Sequence, residues 1–391
     1  MRFLVRIKGI QPNTCPLQPY FCAVAQAKRD IVAGPPELKG HPLSDLENLF
    51  LERGEKKYRA QQVYDALYIH RIDDVEGMHL LPQQLRDVLQ ADYRTESVKL
   101  QTVQHSEDGT KKFLFELHDG RAVESVLIPS EMREADGGPR RLTLCVSTQV
   151  GCNLGCVFCA TASLKLTRNL TSGEIVDQFL QAQKHSEKLI TNIVFMGMGE
   201  PMNNYDAVMR ATQIFNDQRT KMVAPRRTTL STAGVIPGII RMADEGQIIK
   251  LAVSLHATTQ DVRAELMPIA KKYTLPELIE ALEYYYRATR KSVTYEYILF
   301  DGINDSIDDV RRLGKLARRM PTKVNVIPFH DIDFTQPQGF AKTLKPSSAE
   351  RFEWFLQKLR EEDVQVLVRS SSGVDIDAAC GQLAFSKEQA A

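Results

Sequence analysis

The segment that decides the fold is residues 142–159, which read LTLCVSTQVGCNLGCVFC. Residues 142–148 form a strand candidate, and the loop after them carries three cysteines: Cys152, Cys156 and Cys159. Three thiolates separated by three and then by two residues can bind three irons of a [4Fe–4S] cluster. No fourth cysteine follows nearby, so one iron is expected to stay open for an external ligand.

Zinc binding and simple burial are the two alternatives for these cysteines. A structural zinc site needs a fourth ligand to complete its tetrahedron, and His256 is the only tempting candidate. Burial as structural cysteines is the second alternative, but three thiols interleaved with Asn153 and Gly155 make a poor helix or strand. The pattern therefore favours the cluster, with both alternatives left open.

The composition is that of an ordinary globular protein. The chain has 391 residues, 43% of them hydrophobic, which predicts two to three domains with ample material for a core. With 50 Lys and Arg against 49 Asp and Glu, no global basic field indicates a nucleic-acid partner. No apolar run approaches the ~18 residues of a membrane span, so we expect no membrane partner.

Seven cysteines, an odd number with three in one short segment, argue against a secreted disulfide framework and for a reduced compartment. The first 29 residues are basic and faintly resemble a transit peptide, but they lack serine. We favour a disordered extension or a misplaced start codon, and we expect a cytoplasmic protein.

Composition and periodicity divide the chain into four parts. Residues 1–40 contain five prolines and are predicted as a tail and linker that can be disordered. Residues 41–95 carry three helical apolar stripes and a basic patch, and are predicted as a small RNA-binding module. Residues 96–135 form a β-hairpin extension whose turn is Asp119-Gly120. Residues 136–391 are predicted as a partial barrel.

The barrel prediction rests on a regular alternation of strands and helices. Repeated βα units predict an α/β fold with a parallel sheet, and six or seven of them suggest a barrel or partial barrel. The strand candidates are 142–148, 192–197, 227–231, 249–255, 293–299, 323–328 and 364–369. Three helices begin with a capping box, namely Thr171/Glu174, Thr274/Glu277 and Ser347/Glu350.

Unusual peptides follow these strands at the edge where ligands gather in such folds. In Gly197-Met-Gly-Glu200, glycines allow a ligand to approach the backbone and Glu200 can accept hydrogen bonds from an ammonium. A tight turn capped by a carboxylate would account for the same peptide. The remaining peptides begin at Ser231, Ser254, Pro328 and Asp375. Taken alone, their serines would be residues whose hydroxyls are hydrogen-bonded within the protein, and His330 would be a structural histidine.

Cys145 and Cys380 do not have the spacing of cluster ligands. Each alone would be a small buried hydrophobe. Cys145 lies on the first barrel strand and Cys380 follows the last one, and a closed or partly closed barrel makes these strands neighbours. The two thiols could therefore face one cavity, as nucleophiles or as partners in a transient disulfide.

Together these peptides closely resemble the RlmN/Cfr family of radical-SAM RNA methyltransferases, from about Leu43 to Leu383. The cysteine triplet and the Asp375–Leu383 peptide are the most specific elements. The resemblance implies a partial (β/α)6-type barrel, a [4Fe–4S] cluster held by the three cysteines, and two molecules of S-adenosylmethionine (SAM) per turnover. It implies SAM contacts by Gly199, Glu200, Ser231, Ser254, Leu255, His256 and His330, the last at a position that is usually Asn.

The resemblance also implies a ping-pong methyl transfer. Cys380 becomes S-methylcysteine, a methylene radical on it adds to an adenine carbon, and Cys145 resolves the protein–RNA adduct through a transient disulfide. Glu124 matches the acceptor of the adenine proton.

The expected substrates are an adenine of the peptidyl-transferase loop of 23S rRNA and the adenine beside the tRNA anticodon, both methylated at carbon 2. Pro201 favours this branch over the one that methylates carbon 8 and gives antibiotic resistance. A rival of another class is a non-catalytic, zinc-stabilised RNA-binding protein. We further expect a reductant such as flavodoxin, a monomer, and RNA binding through local basic patches that include Lys111-Lys112.

Overall fold

The computed structural model describes residues 34–132, 134, 137–369 and 371–384. Most of the predicted tail, residues 1–33, lies outside the described residues. The last part of the predicted tail differs from that prediction, because it is packed into the fold. Leu38 is fully buried, and Lys39 forms a buried ion pair of 2.6 Å with Asp177.

One ten-stranded sheet organises the described chain. Its first four strands pair antiparallel. The fourth of them, β4 (Leu142–Cys145), and the six strands after it in the sheet run parallel to one another in chain order. This confirms the α/β fold, and the seven parallel strands coincide with the seven predicted strands. The strands of this sheet and of a small separate pair, β5 and β6, are β1 Val98–His105, β2 Lys111–Leu117, β3 Ala122–Pro129, β4 Leu142–Cys145, β5 Gln149–Val150, β6 Arg168–Asn169, β7 Asn192–Phe195, β8 Thr228–Thr232, β9 Lys250–Ser254, β10 Val293–Leu299, β11 Thr322–Pro328 and β12 Gln365–Val368.

Helices connect the parallel strands and cover the sheet. In the described part of the chain, no helix has the length and apolar character needed to cross a membrane. The α-helices are α1 Leu43–Glu52, α2 Lys57–Tyr68, α3 Gln83–Asp92, α4 Ser172–Lys184, α5 Tyr205–Phe215, α6 Ile236–Asp244, α7 Gln260–Leu266, α8 Leu275–Thr289, α9 Ile307–Ala317 and α10 Ala349–Glu361.

Two of the three predicted capping boxes are present, at the starts of α4 and α8. The third prediction is wrong by one residue. The N-cap of α10 is Ser348, whose hydroxyl accepts a hydrogen bond from the Arg351 amide, while the Ser347 hydroxyl is buried without a partner. With Ser348 as the cap, the third helical position is Arg351 rather than Glu350, so the helix begins with a serine cap but without the predicted box.

The small helical part packs on the barrel. The apolar stripes of α1, α2 and α3 are largely buried, with Leu49 partly accessible, and Gly54 after α1 has a φ of +79°, which only glycine adopts without strain. Tyr64 on α2 donates a hydrogen bond of 2.8 Å to Asp217, beyond α5. Part of the predicted basic patch is engaged within the protein, since Arg53 donates to Asp92 and Lys57 pairs with Glu47.

Asp177 on α4 joins three parts of the chain. Its carboxylate is fully buried and pairs with Lys39 at 2.6 Å. Its other oxygen accepts hydrogen bonds from the amides of Ser97 at 2.9 Å and Val98 at 3.1 Å, where β1 begins. One carboxylate therefore fixes residues near the start of the described chain and the first strand on the barrel.

This arrangement predicts a large loss of stability for Asp177→Ala. The variant leaves the Lys39 ammonium buried and unpaired, which costs about 3–5 kcal/mol, as measured by denaturant unfolding. The double variant Lys39→Met/Asp177→Asn removes both charges, keeps an acceptor for the two amides and should regain most of the loss. A loss under about 1 kcal/mol in the single variant would contradict the role of this ion pair.

Candidate active site

A cavity opens at the carboxyl ends of the parallel strands, where the sequence predicted the site. It encloses about 790 Å³ when its open mouth is counted. Most of the predicted residues share this cavity. Those that line it are Cys152, Cys156, Cys159, Gly199, Glu200, Ser231, Ser254, His256 and Cys380.

Backbone hydrogen bonds hold the cysteine loop in place. The Cys152 amide donates to the Leu164 carbonyl at 3.1 Å, and the Cys159 amide donates to the Cys156 carbonyl, also at 3.1 Å. The Ala160 amide donates to the Gly381 carbonyl at 2.6 Å, which joins this loop to the peptide that carries Cys380. Burial raises the pKa of all three thiols, so they favour the neutral form until a metal displaces their protons.

Glu200 is buried on the cavity wall and held by backbone amides. One carboxylate oxygen accepts from Met202 at 3.0 Å and the other accepts from Ala233 at 2.8 Å. Burial raises the pKa of Glu200, and these hydrogen bonds oppose the rise. Each oxygen keeps a further lone pair, so the carboxylate can still accept hydrogen bonds from an ammonium in the cavity.

The glycines before Glu200 serve a different purpose from the one expected. A Cβ at Gly199 would lie 2.4 Å from the Gln149 side chain, and a Cβ at Gly197 would lie 2.8 Å from Ser147. Both glycines line the cavity. However, the close approach that requires them is between the loop after β7 and the loop after β4.

His256 is held in a strained backbone conformation and presents a neutral ring. Its φ is +53°, in the left-handed region that non-glycine residues seldom adopt. The ring Nδ1 accepts a hydrogen bond from the Ile298 amide at 3.0 Å. Burial, helped by the nearby Arg263, lowers the pKa of His256 to about 3. The ring therefore keeps its proton on Nε2, as a donor.

The other two cysteines among the described residues, Cys145 and Cys380, both lie within electrostatic range of Arg369, which is partly exposed to the cavity. Cys380 is accessible from the cavity, whereas Cys145 is buried at the end of β4. Burial raises the pKa of Cys145 to about 12, Arg369 lowers it, and the charge of Cys380 raises it further. Desolvation by the surrounding protein atoms also raises the pKa of Cys380; Arg369 opposes this rise and Glu296 adds to it. Both thiols thus lie within electrostatic range of one guanidinium, which favours their thiolate forms.

Four predicted residues do not line the cavity, and Cys145, described above, is one of them. Leu255 is fully buried in the core, and its amide donates to the Glu296 carbonyl. His330 is partly buried beyond β11 and is not part of the lining. Glu124 is buried on β3, two residues before Val126, the pairing partner of Cys145.

Sequence reasoning missed two charged residues that do line it, Glu296 on β10 and Arg369 after β12. Asn325 donates a hydrogen bond of 2.6 Å to the Glu296 carboxylate. A lone carboxylate in an otherwise apolar and aromatic strand, Val293–Leu299, was a usable signal, because such a group is rarely buried without a purpose.

The residues around the cysteine loop fit an anionic cluster. Arg263 is fully buried; its side chain donates to the Ala233 and Ser254 carbonyls, while its Nε and Nη1 have no partner. Burial lowers its pKa to about 10, and the charge of Cys156 opposes this. An unbalanced buried cation beside the loop suits a set of thiolates.

A single metal ion fits the described residues less well. Among the residues that the structure describes, no three His, Cys, Asp or Glu side chains are placed to hold one metal ion. A [4Fe–4S] cluster does not need such convergence, because each thiolate binds a different iron. Cys152, Cys156 and Cys159 could therefore hold the cluster, with Glu200 and the serines beside it.

Comparisons with known proteins point the same way. Residues 146–314 match the Radical SAM superfamily, and residues 37–94 match the ribosomal RNA large subunit methyltransferase N-terminal domain. A protein of Geobacillus kaustophilus named probable dual-specificity RNA methyltransferase RlmN is 41% identical over 351 residues, covering 89% of this chain and 92% of the relative. The chain belongs to the RlmN family.

Other members of the family extend the match. A Staphylococcus aureus protein of the same name is 40% identical over 348 residues, covering 88% of this chain and 92% of that protein. The crystal structure of a radical SAM methyltransferase from Sphaerobacter thermophilus has a TM-score of 0.81 and 40% identity, covering 89% of this chain and 99% of that one. As an RlmN family member, the protein is a radical-SAM RNA methyltransferase that uses a [4Fe–4S] cluster and SAM.

Removing one thiol of the loop should remove the cluster. After anaerobic reconstitution, the protein should contain about four irons per chain, and Cys156→Ala should lose most of this iron and the visible absorbance. Cys380→Ala is the matched control and should keep its iron, because that thiol lies outside the triplet. Full iron content in Cys156→Ala would exclude it as a ligand.

Proposed function

We propose that this protein methylates carbon 2 of an adenine in the peptidyl-transferase loop of 23S rRNA, and of the adenine beside the tRNA anticodon. The observation that carries the proposal is that Cys380 and Arg369 line the cavity of the three-cysteine loop, while Cys145 is buried within electrostatic range of the same guanidinium. The dual specificity in the names of its relatives supports two RNA substrates.

Cys380 is the proposed methyl carrier. It is the cysteine outside the triplet that lines the cavity, and the Arg369 guanidinium favours its thiolate, which is the nucleophilic form. The thiolate displaces a methyl group from the SAM sulfonium, and the electron pair of the broken bond stays with the leaving thioether. Cys380 then carries an S-methyl group inside the cavity.

When bound, the cluster and SAM supply a one-electron cleavage that gives a carbon radical able to remove hydrogen from this methyl group. The residues of the wall orient the cofactor for that chemistry. Glu200 offers its free lone pairs to an ammonium, and the Nε2–H of His256 offers a donor in the same cavity. Ser231 and Ser254 add hydroxyls to the same lining.

Glu124 and Cys145 are proposed to complete the transfer. Glu124 accepts the proton of the adenine carbon to which the methylene radical has added, and the one unpaired electron of that adduct would return to the bound cluster, so that the aromatic ring is restored. The Cys145 thiolate then attacks the Cys380 sulfur, and the disulfide forms as the sulfur–methylene bond breaks. The electron pair of that bond leaves with the methylene carbon, which takes a proton to become methyl.

The RNA is proposed to bind through residues 41–95 and through local basic patches. Arg140 with Arg141, Arg226 with Arg227, and Lys271 with Lys272 are exposed, so phosphates can reach them, and binding should weaken as salt is raised. An adenine must leave its stack to enter the cavity, so a loop substrate is expected. We also propose a cytoplasmic monomer that receives electrons from a flavodoxin-type donor.

Carbon 2 is preferred to carbon 8 because Pro201 follows Glu200, which is typical of the carbon-2 branch. Reconstituted enzyme acting on an in vitro 23S rRNA fragment should yield 2-methyladenosine on nucleoside mass spectrometry. A transcript of the tRNA anticodon arm should yield the same nucleoside. Formation of 8-methyladenosine would overturn the choice of carbon, and absence of product on tRNA would remove the second substrate.

The two cysteines should give opposite phenotypes. Cys145→Ala should accumulate protein covalently joined to RNA, seen as a band shift that ribonuclease removes, because nothing then attacks the Cys380 sulfur. Cys380→Ala should give neither methylation nor the shifted band. Normal turnover by Cys380→Ala would exclude the carrier role, and a Cys145→Ala enzyme that turns over freely would exclude the resolving role.

A further inference from the structure

Lys112 is a buried cation to which the family-based mechanism gives no role. It lies on β2, where side chains alternate between the two faces of the sheet. Lys111 points outward and donates to the His185 carbonyl at 2.8 Å, whereas the Lys112 side chain is only 4% exposed. Its sequence neighbourhood suggested a surface patch for phosphates, but burial prevents Lys112 from reaching them.

The strand register places Lys112 beside the residues proposed for chemistry. Lys112 is opposite Val126 on β3, and Val126 is opposite Cys145 on β4. Directly opposed side chains share one face of a sheet, so Lys112 and Cys145 lie on the same face. Glu124, two residues from Val126, lies on this face as well.

The Lys112 ammonium has two partners in this layer. Its Nζ is 3.6 Å from Oε1 of Glu124, whose side chain is only 3% exposed. It also donates a hydrogen bond of 3.4 Å to the carbonyl of Asp377, three residues before Cys380. One ammonium therefore joins the proposed base to the segment that carries the proposed methyl carrier.

Glu124 has one occupied and one free carboxylate oxygen. Its Oε2 is buried without a hydrogen-bond partner, which is costly for a carboxylate unless the free oxygen serves a purpose. Among its other neighbours, Ser147 donates to the Glu124 carbonyl and Met198 lies against its amide, while the Asp377 carboxylate acts on it electrostatically. Burial raises the pKa of Glu124, Lys112 lowers it and Asp377 raises it.

We propose that Lys112 is a positioning residue: it keeps the buried Glu124 carboxylate ionised, holds Oε1 so that Oε2 stays free for the substrate proton, and fixes the Cys380 segment alongside. The inference rests on the proposed role of Glu124. A purely structural ion pair would stabilise the fold without setting the pH at which the proton can be accepted.

The test is the pH profile of a single turnover on a 23S rRNA fragment, using reconstituted holoenzyme. A base must be ionised to accept a proton, so the rate falls as pH drops through the pKa of Glu124. A neighbouring opposite charge lowers a carboxyl pKa by about 1–3 units. Lys112→Met should therefore move the acidic limb of the profile upward by at least about one pH unit, a roughly tenfold loss of rate on that limb.

Three variants separate charge from packing. Lys112→Arg keeps a cation, so the acidic limb of its pH profile should lie at or near the wild-type pH. Lys111→Met removes a charge from the opposite face of the same strand and should leave the position of the limb unchanged. Lys112→Met/Glu124→Gln avoids an unpaired buried carboxylate, so it should fold even if Lys112→Met does not, and it should show no limb in this pH range. A wild-type limb in the double variant would overturn the proposal.

The first half-reaction separates the two possible failures. Methylation of Cys380 precedes the step that needs Glu124, so it should still occur in every Lys112 variant. Mass spectrometry of the protein measures it. If Glu124→Gln turns over normally, the proposed function of Glu124 fails. If Glu124→Gln is blocked while Lys112→Met keeps the wild-type limb, only the role of Lys112 fails.

Discussion

The loop after β4 is locked against the loop after β7, and the rest of the site depends on this contact. The amides of Thr148 and Gln149 donate to the Met198 carbonyl at 2.9 and 3.2 Å. The Ser147 hydroxyl donates to the Glu124 carbonyl at 2.5 Å and accepts from the Met198 amide at 2.9 Å. Glycine is required at 197 and 199 because any Cβ there would collide with the facing loop.

This contact fixes both walls of the cavity at once. Gln149 also accepts from the Glu200 amide at 2.8 Å, so the segment that leads into the cysteine loop also sets the position of the carboxylate opposite it. Gln178 on α4 bonds to the amide and the carbonyl of Ser147 from behind. A preorganised wall of this kind loses little freedom when a cofactor binds, and such a loss would otherwise weaken binding.

Three cations lie in and beside the site, and each is near thiols or a carboxylate. Arg263 lies behind the cysteine loop, Arg369 lies near Cys145 and Cys380, and Lys112 lies beside Glu124. Each cation lies near a group that the proposed mechanism uses as an anion. Burial favours the neutral thiols and carboxyl, so these cations shift the balance back toward the reactive forms.

The sequence by itself determined the strands and helices and supplied the candidates for the reactive groups. Hydrophobic periodicity and the βα alternation located all seven parallel strands, and the cysteine spacing predicted the cluster loop before any contact was known. These features are local, because helix caps, strand patterns and ligand spacing act over a few residues. The misplaced cap at Ser347 shows where even local information becomes ambiguous.

Only the tertiary structure decided which distant residues meet. Glu296 and Arg369 entered the site, Leu255 and His330 did not line it, and Lys112 moved from an expected surface patch to a buried ion pair. Apart from the lone carboxylate of Glu296 in its strand, no local pattern indicates these outcomes, because they depend on strand register and on which face of the sheet each side chain occupies. A shift of one residue in the pairing would turn Lys112 outward and Lys111 inward.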